Sequence, residues 1–519
     1  VTAEENLLAP FGGSALELIA AVARRGSDTV AIEAEDGALI TYGELMRLVA
    51  RAAEDLKDRG VLPGDRVPVI FENCWAVVGL ILAIIKVKAW AVPLNARLSN
   101  GEIDAILAHC DPRLVFYEID HSKAAADHAE GRMASRDDAF PLPGFSVVDR
   151  SEAQPVSAYC ENDEKAEDVA LLIYTSGSTG KPKGMMLTHG NIGFIMLAGA
   201  TQKWFVPGDK IYAALPMSHA YGLMSVAMSA LAAGATLFPV ARFAAEHAVN
   251  LIREGALTAF LGVPTMYARL LEYCTGKGVA LRPNRLRLSV VGAAATDAGH
   301  KLAYENLLGL KLSNGYGLTE AAPTVSRTRA DLSAGRPLPG VSVEIRDPAS
   351  GTRLRAGETG ILHVRGPNVM LGYFRDRAAT AAVIDRDGWL DTGDLAQILA
   401  DGHLKVVGRI KELIIRSGFN VYPLEVEAAL CAHPAVEAAA VLGRSVPGNE
   451  EVLAFVQPRI GQVLDADELS AFVADRLAAY KRPSIIHLRK ELPLTSTGKI
   501  SKMALRQEIA AGSPNQDRD

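Results

Sequence analysis

Apolar residues recur along this chain with two spacings that take turns. Residues 42–59 and 102–109 carry them three and four apart among polar neighbours, which predicts helices with one buried face. Residues 67–71 and 114–117 are short continuous apolar runs, which predict strands covered on both sides. The same rhythm returns in strand candidates at 169–173, 237–240, 259–263 and 288–291. Strands alternating with helices predict an α/β fold built on a parallel sheet. The most apolar stretch, residues 76–85, is about half as long as a membrane crossing needs and is followed by Lys86 and Lys88. It predicts a buried helix and no membrane span.

The pattern changes after residue 334. Short strand candidates at 341–346, 360–364 and 404–407 are punctuated by Gly, Pro and Asp, which predicts a β-rich subdomain over residues 334–408. Residues 412–519 have strand and helix patterns of their own and a polar tail, as expected of a small α+β C-terminal domain. Residues 1–408 then form a large N-terminal domain, and residues 409–411 a short hinge. A chain of 519 residues has room for about three units of this kind.

Composition narrows the chemistry. A hydrophobic fraction of 49% and a charged fraction of 22% suit a globular protein, and a net charge of −6 gives no general attraction for nucleic acid or an anionic membrane. Any anion must therefore be bound locally. The five cysteines are scattered and have no CxxC spacing, so they indicate neither a disulfide framework nor a zinc site. A reducing, cytoplasmic setting fits them. Nothing in the pattern separates a monomer from a homodimer.

Residues 174–184, YTSGSTGKPKG, have the composition of a phosphate cradle. Gly177, Gly180 and Gly184 permit close approach of the backbone. Thr175, Ser176, Ser178, Thr179 and nearby N–H groups can donate to phosphate oxygens. Lys181 and Lys183 add positive charge. The string is not a P-loop, because Pro182 follows Lys181 where that pattern requires Ser or Thr. Two further strings carry matching chemistry. In NGYGLTE, residues 314–320, Tyr316 offers a ring to a nucleobase, Thr319 a hydroxyl to phosphate, and Glu320 a carboxylate to magnesium. In GWLDTGDL, residues 388–395, Asp394 is suited to accept ribose hydroxyls, and Arg409 follows fifteen residues later.

These strings, with GAAAT at 292–296, GRIKELIIRSGFNVYP at 408–423 and PLTSTGKISK at 493–502, resemble the adenylate-forming superfamily of acyl-CoA synthetases, peptide-synthetase adenylation domains and firefly-type luciferases. The resemblance covers nearly the whole chain. It implies a two-step reaction in which a carboxylate and ATP form acyl-AMP, and CoA then displaces AMP, with Mg²⁺ as cofactor and a carboxylic acid, ATP and CoA as partners. It also implies that residues 175–183, including Gly177, grip the phosphates, that Asn314 and Tyr316 flank the adenine, that Asp394 and Arg409 hold the ribose, and that Thr319 and Glu320 serve phosphate and metal. Lys499 matches the lysine that promotes adenylation. Lys411 matches the hinge about which a mobile C-terminal domain rotates, and Gly418 the glycine of the CoA tunnel.

For the acid, the resemblance assigns His219 a place beside the reacting carboxylate. It lines the pocket with Ala220, Tyr221, Met224, Thr265, Met266, Ala293, Ala294, Gly315, Gly317 and Leu318. The lining is mostly small or apolar, which favours an aromatic or medium- to long-chain monocarboxylate. A malonate-like dicarboxylate is the alternative if Arg242 or Arg269 points inward. A catalytically silent ATP-binding homologue is the alternative of another class, and acid-dependent pyrophosphate release separates it from an enzyme.

Overall fold

The computed structural model describes residues 13–150, 168–175, 182–282, 284–292, 298–329, 333–417, 419–446, 449–495 and 499–510. The helix Trp75–Lys86 has no polar face, and every residue from Ala76 to Ile85 is buried. A helix apolar all round must be covered all round. It packs in a central cluster with the helices Ala15–Arg25, Tyr42–Asp58 and His189–Thr201, between two large sheets. Among the described residues no helix is long and apolar enough to cross a membrane.

The first sheet has eight strands. Its centre is parallel, with Arg66–Phe71 beside Trp90–Asn95 on one side and Leu114–Glu118 on the other, and with Val169–Thr175 beyond Trp90–Asn95. Side chains alternate across it: Ala91 joins the central cluster, whereas Trp90, Val92 and Leu94 pack under the outer helices Asn100–Cys110 and Lys123–Gly131. The second sheet has nine strands, six of them running parallel from Val30–Glu33 through Thr236–Pro239, Lys210–Ala213, Ala259–Gly262 and Leu288–Val291 to Ser313–Tyr316. Three helices, Ala245–Arg253, Pro264–Lys277 and Ala298–Leu308, cover its outer face. The parallel sheet expected from the alternation is therefore two sheets, each with antiparallel strands at its edges.

A four-stranded antiparallel sheet follows, made of Ser342–Arg346, Gly360–Arg365, Leu390–Ile398 and Leu404–Arg409. It starts later than residue 334, because Arg336–Pro337 pairs with Ser326–Thr328 at the edge of the nine-stranded sheet. Gly372–Tyr373, from the same stretch of sequence, pairs with Lys183–Thr188 at the edge of the eight-stranded sheet. The small C-terminal domain is a hairpin, Val436–Val446 with Asn449–Pro458, extended by the parallel strand Ile485–Leu488. Helices Pro423–Cys431 and Ala466–Ala474 pack on one face, and Leu505 of Lys502–Ala510 on the other. Across to the large domain, Arg459 Nη2 donates to His300 Nε2 at 2.6 Å.

Candidate active site

The two ends of the phosphate loop form a hairpin, with Thr175 opposite Lys183 in the antiparallel pair Val169–Thr175 and Lys183–Thr188. Residues 176–181, and with them Ser176, Gly177, Ser178, Thr179 and Lys181, lie outside the described residues. The neighbouring strand Gly372–Tyr373 links this hairpin to the second string. Lys183 Nζ sits 5.0 Å from the centre of the Tyr373 ring, and the Tyr373 hydroxyl donates to Glu320 Oε1 at 3.1 Å. Lys183 and Glu320, 137 positions apart in the chain, thus face one space.

Strand Ser313–Tyr316 delivers the NGYGLTE turn. Asn314 is used locally: its Nδ2 donates to the Ser333 carbonyl at 3.1 Å, and its Oδ1 accepts from Gly315 N at 2.8 Å. A Cβ on Gly317 would fall 1.6 Å from the Pro323 carbonyl oxygen, so only glycine fits there. Thr319–Ala321 then forms one short 3₁₀ turn, closed by Ala322 with φ 48°. The Tyr316 hydroxyl donates to Asp394 Oδ2 at 2.5 Å, and Arg409 Nε donates to Asp394 Oδ1 at 2.6 Å. Asp394 and Arg409 are cross-strand partners, which is why fifteen residues of separation bring them together. Burial and the Asp394 carboxylate hold the Tyr316 phenol well above its ordinary pKa. Asp394 is itself buried, with one partner on each oxygen and lone pairs left for further donors.

Lys499 enters this cluster from the C-terminal domain. Its side chain is open to solvent at the mouth of that cluster and lies within electrostatic reach of Arg409 and Asp394. The surroundings lower its pKa, first through desolvation and then through Arg409, with Asp394 opposing. Its backbone is held by Thr495, whose N donates to the Lys499 carbonyl at 2.7 Å and whose hydroxyl accepts from Lys499 N at 3.2 Å. His219 is close enough to feel the same charge. Burial and then Lys499 push the imidazole down to about 4, so it is neutral at pH 7. Its Nε2 is buried without a hydrogen-bond partner among the described residues.

The loop carrying His219 is positioned by Asn73, which the sequence reading did not single out. Asn73 Nδ2 donates to the carbonyls of Ala213 and Leu215 at 3.1 and 2.9 Å, and its Oδ1 accepts from Met217 N at 2.8 Å. After His219 and Ala220 the chain forms a π-helix, Tyr221–Met228. Such wide turns occur often at functional sites. A Cβ on Gly222 would lie 2.3 Å from the Pro216 carbonyl oxygen, so glycine permits this entry. Ser229 Oγ donates to the Met224 carbonyl at 2.8 Å, and Ser225 shares a hydroxyl contact of 3.0 Å with Thr324, tying the helix to the turn after NGYGLTE.

Ala220 and Met224 are buried in the central cluster, and Tyr221, Met266 and Leu318 pack partly buried against it. Thr265 and Met266 open the helix Pro264–Lys277. Arg242 points away: it is 67% exposed and donates through Nε to Glu72 at 3.0 Å. Arg269 is exposed on the surface of its helix.

Residues 19–374 match the family described as AMP-binding enzyme, and residues 425–499 match the AMP-binding enzyme C-terminal domain. The chain belongs to the AMP-binding enzyme family. Feruloyl-CoA synthase of Amycolatopsis sp is 37% identical over 480 residues, covering 91% of this chain and 94% of that protein. Long-chain-fatty-acid--CoA ligase of Bacillus subtilis (strain 168) is 32% identical over 516 residues, covering 91% and 90%. The solved structure of ATP-bound MatB from Rhodopseudomonas palustris superposes with a TM-score of 0.81 at 29% identity, covering 95% of this chain and 99% of that one. This AMP-binding enzyme is an AMP-forming acyl-CoA synthetase of the adenylate-forming superfamily.

In this AMP-binding enzyme the structure brings together Lys499, His219, Asp394, Arg409 and Tyr316, and separately Lys183, Tyr373 and Glu320. Ala293, Ala294 and Gly418 lie outside the described residues, and Lys411 is exposed in the short 3₁₀ turn Ile410–Glu412. Tyr373 was legible only as an apolar residue, since its partner Glu320 is remote in sequence. Elsewhere, Cys74, Glu118 and His121 place ligand-type atoms within 4.8 Å of one another. The scattered spacing of the cysteines had given no sign of that cluster.

Proposed function

We propose that this synthetase activates an aromatic monocarboxylic acid with ATP and transfers the acyl group to CoA. The observation that carries the choice of acid is the neutral lining beside His219, formed by Ala220, Tyr221, Leu223 and Met224, with Arg242 and Arg269 at the outer surface. A second carboxylate buried against that lining would lose its hydration without compensation. Relationship to a feruloyl-CoA synthase supports an aryl acid over an alkyl one. Family membership and the ATP-bound relative support ATP as the nucleotide.

In the first step a carboxylate oxygen of the acid forms a bond to the α-phosphorus, the bond to the β-phosphate oxygen breaks, and pyrophosphate leaves. Lys499 is within electrostatic reach both of His219, which we read as the acid side, and of Asp394 and Arg409, which we read as the nucleotide side. Its cation offsets the charge that gathers on the α-phosphate oxygens. Neutral His219 supplies polarity to the acid without competing for that charge. Thr175, Lys183 and the segment between them hold the phosphates. Tyr316, fixed through its hydroxyl, offers its ring to the adenine, and Asp394 with Arg409 receives the ribose. Tyr373 occupies only Oε1 of Glu320, so Oε2 can hold Mg²⁺, which when bound neutralises phosphate charge. In the second step the CoA thiolate attacks the acyl carbon, a thioester forms, the bond to the phosphate oxygen breaks, and AMP leaves. A rotation about residues 409–411 would withdraw Lys499 and admit the thiol.

The test is a panel of aromatic and straight-chain acids assayed for CoA-dependent AMP formation. Aromatic acids should give the highest kcat/KM. Preference for straight-chain acids would overturn the aryl reading. Lack of acid-dependent pyrophosphate release would overturn the reaction.

A further inference from the structure

Arg327 lies in the strand Ser326–Thr328, directly opposite Gly315. Side chains alternate along a strand. The Tyr316 hydroxyl bonds Asp394, so Gly315 and Arg327 face the opposite side of the sheet. Gly315 has no side chain to fill that space, and the Arg327 stem lies across it, with Cγ 3.6 Å from where a Cβ would stand. The guanidinium continues over the Trp204 ring, 4.7 Å from its centre, and ends 3.9 Å from the Cβ position of Gly199.

Two polar atoms are left unsatisfied in this interior. Among the described residues, Arg327 Nη1 and the Tyr221 hydroxyl are both buried with no hydrogen-bond partner. They lie within electrostatic reach of one another. Burial raises the Tyr221 phenol to about 12 and lowers the Arg327 guanidinium to about 10, and in each case the other group is the charge that responds. Arg327 therefore remains a cation at neutral pH, with no carboxylate among the described residues to balance it. Tyr221 is also the link to the reacting end. It follows His219 by two residues, and its hydroxyl lies 2.8 Å from the Cβ position of Gly292. A buried guanidinium N–H and a buried hydroxyl, both without a hydrogen-bond partner among the described residues, are costly unless a ligand supplies the acceptor.

We propose that Arg327 and Tyr221 form the far end of the acyl pocket and bind an oxygen acceptor at the distal end of the acid, opposite its reacting carboxylate. The proposal rests on the reading of His219 as the carboxylate end of the pocket. The enzyme then reads its substrate at two points. The ring packs against the apolar lining, and a phenolic or carbonyl oxygen meets the guanidinium. A site built to bond a substrate oxygen rejects the analogue that lacks it far more strongly than an apolar pocket rejects a missing methylene.

The experiment compares matched acids on one skeleton: a phenylpropenoate with no ring substituent, its para-hydroxy form and its para-carboxy form, together with an alkanoate and its ω-hydroxy and ω-carboxy forms. Pyrophosphate release is measured for the wild type, Arg327→Met and Tyr221→Phe. At least one oxygen-bearing member of the aromatic set should exceed the bare acid in kcat/KM by about tenfold or more. Arg327→Met should bring that ratio close to one while leaving the KM for ATP unchanged, and Tyr221→Phe should lower it. Preference for the hydroxy forms keeps both readings, whereas preference for the carboxy forms keeps this inference and overturns the monocarboxylate reading. A ratio near one in the wild type, or an unchanged ratio in both variants, overturns the proposal. If Arg327→Met does not fold, Tyr221→Phe, which removes a single oxygen, decides the matter. Should straight-chain acids outrun aromatic ones yet keep the distal-oxygen preference, the aryl reading fails and this inference stands; the opposite pattern removes this inference alone.

Discussion

Lys499 and His219 are 280 positions apart and share one electrostatic environment. If Lys499 offsets charge on the α-phosphate, Lys499→Ala should lose on the order of 3 kcal/mol in adenylation, the scale of one preorganised contact. Pyrophosphate exchange at the wild-type rate in that variant would refute the role. His219 makes a prediction about stability. Its pKa falls from 6.5 to about 4 on folding, so between those values the unfolded chain binds a proton that the native protein refuses. The contribution of the buried neutral ring is present above pH 6.5 and is lost as the pH falls toward 4. Urea unfolding at pH 7.5 and pH 4.5 should show a smaller acid loss in His219→Asn than in the wild type. An equal loss would assign the acid sensitivity to other groups.

At the scale of the element, the turn after strand Ser313–Tyr316 depends on a glycine that tolerates no substitute. Gly317→Ala would place a methyl against the Pro323 carbonyl, forcing the backbone of the Thr319 and Glu320 turn to move. A stability loss of more than about 2 kcal/mol, with weakened ATP binding, is expected by thermal unfolding and nucleotide titration. Unchanged affinity and melting would mean that the turn has room the geometry denies. The glycines of NGYGLTE were legible in the sequence as a turn, but the reason for this one was not, because the obstructing carbonyl comes from the chain folding back. The π-helix Tyr221–Met228 was equally hidden. Its residues have ordinary helical composition, and its widened turn is supported by Ser229, Ser225 and the approach of Pro216.

Across the whole molecule, the pose seen here has the C-terminal domain delivering Lys499, with Arg459 bonded to His300 as a brace between domains. Lys411 lies exposed at the junction, in the turn Ile410–Glu412. If residues 409–411 are the hinge, Lys411→Pro should keep acyl-AMP formation and slow thioester formation by roughly tenfold or more, since it fixes a backbone angle that the second pose must change. The two half-reactions can be followed separately by pyrophosphate release and by thioester yield. Equal loss of both would count against the hinge.

The sequence by itself determined the two spacings, the buried helix Trp75–Lys86, the small C-terminal domain and the strings from which Lys183, Tyr316, Glu320, Asp394, Arg409 and Lys499 could be named. These are local properties: a period, a turn chemistry or a residue type at a fixed offset. Tertiary structure alone decided that the strands divide between two sheets, that Gly372–Tyr373 crosses to the phosphate hairpin, and that Asn73 holds the His219 loop. It also decided that Arg242 faces solvent while Arg327, which nothing in its neighbourhood marked out, ends with its Nη1 buried within electrostatic reach of Tyr221. Pairing between distant strands and the direction of a side chain depend on what the rest of the chain brings alongside, and no local period records that.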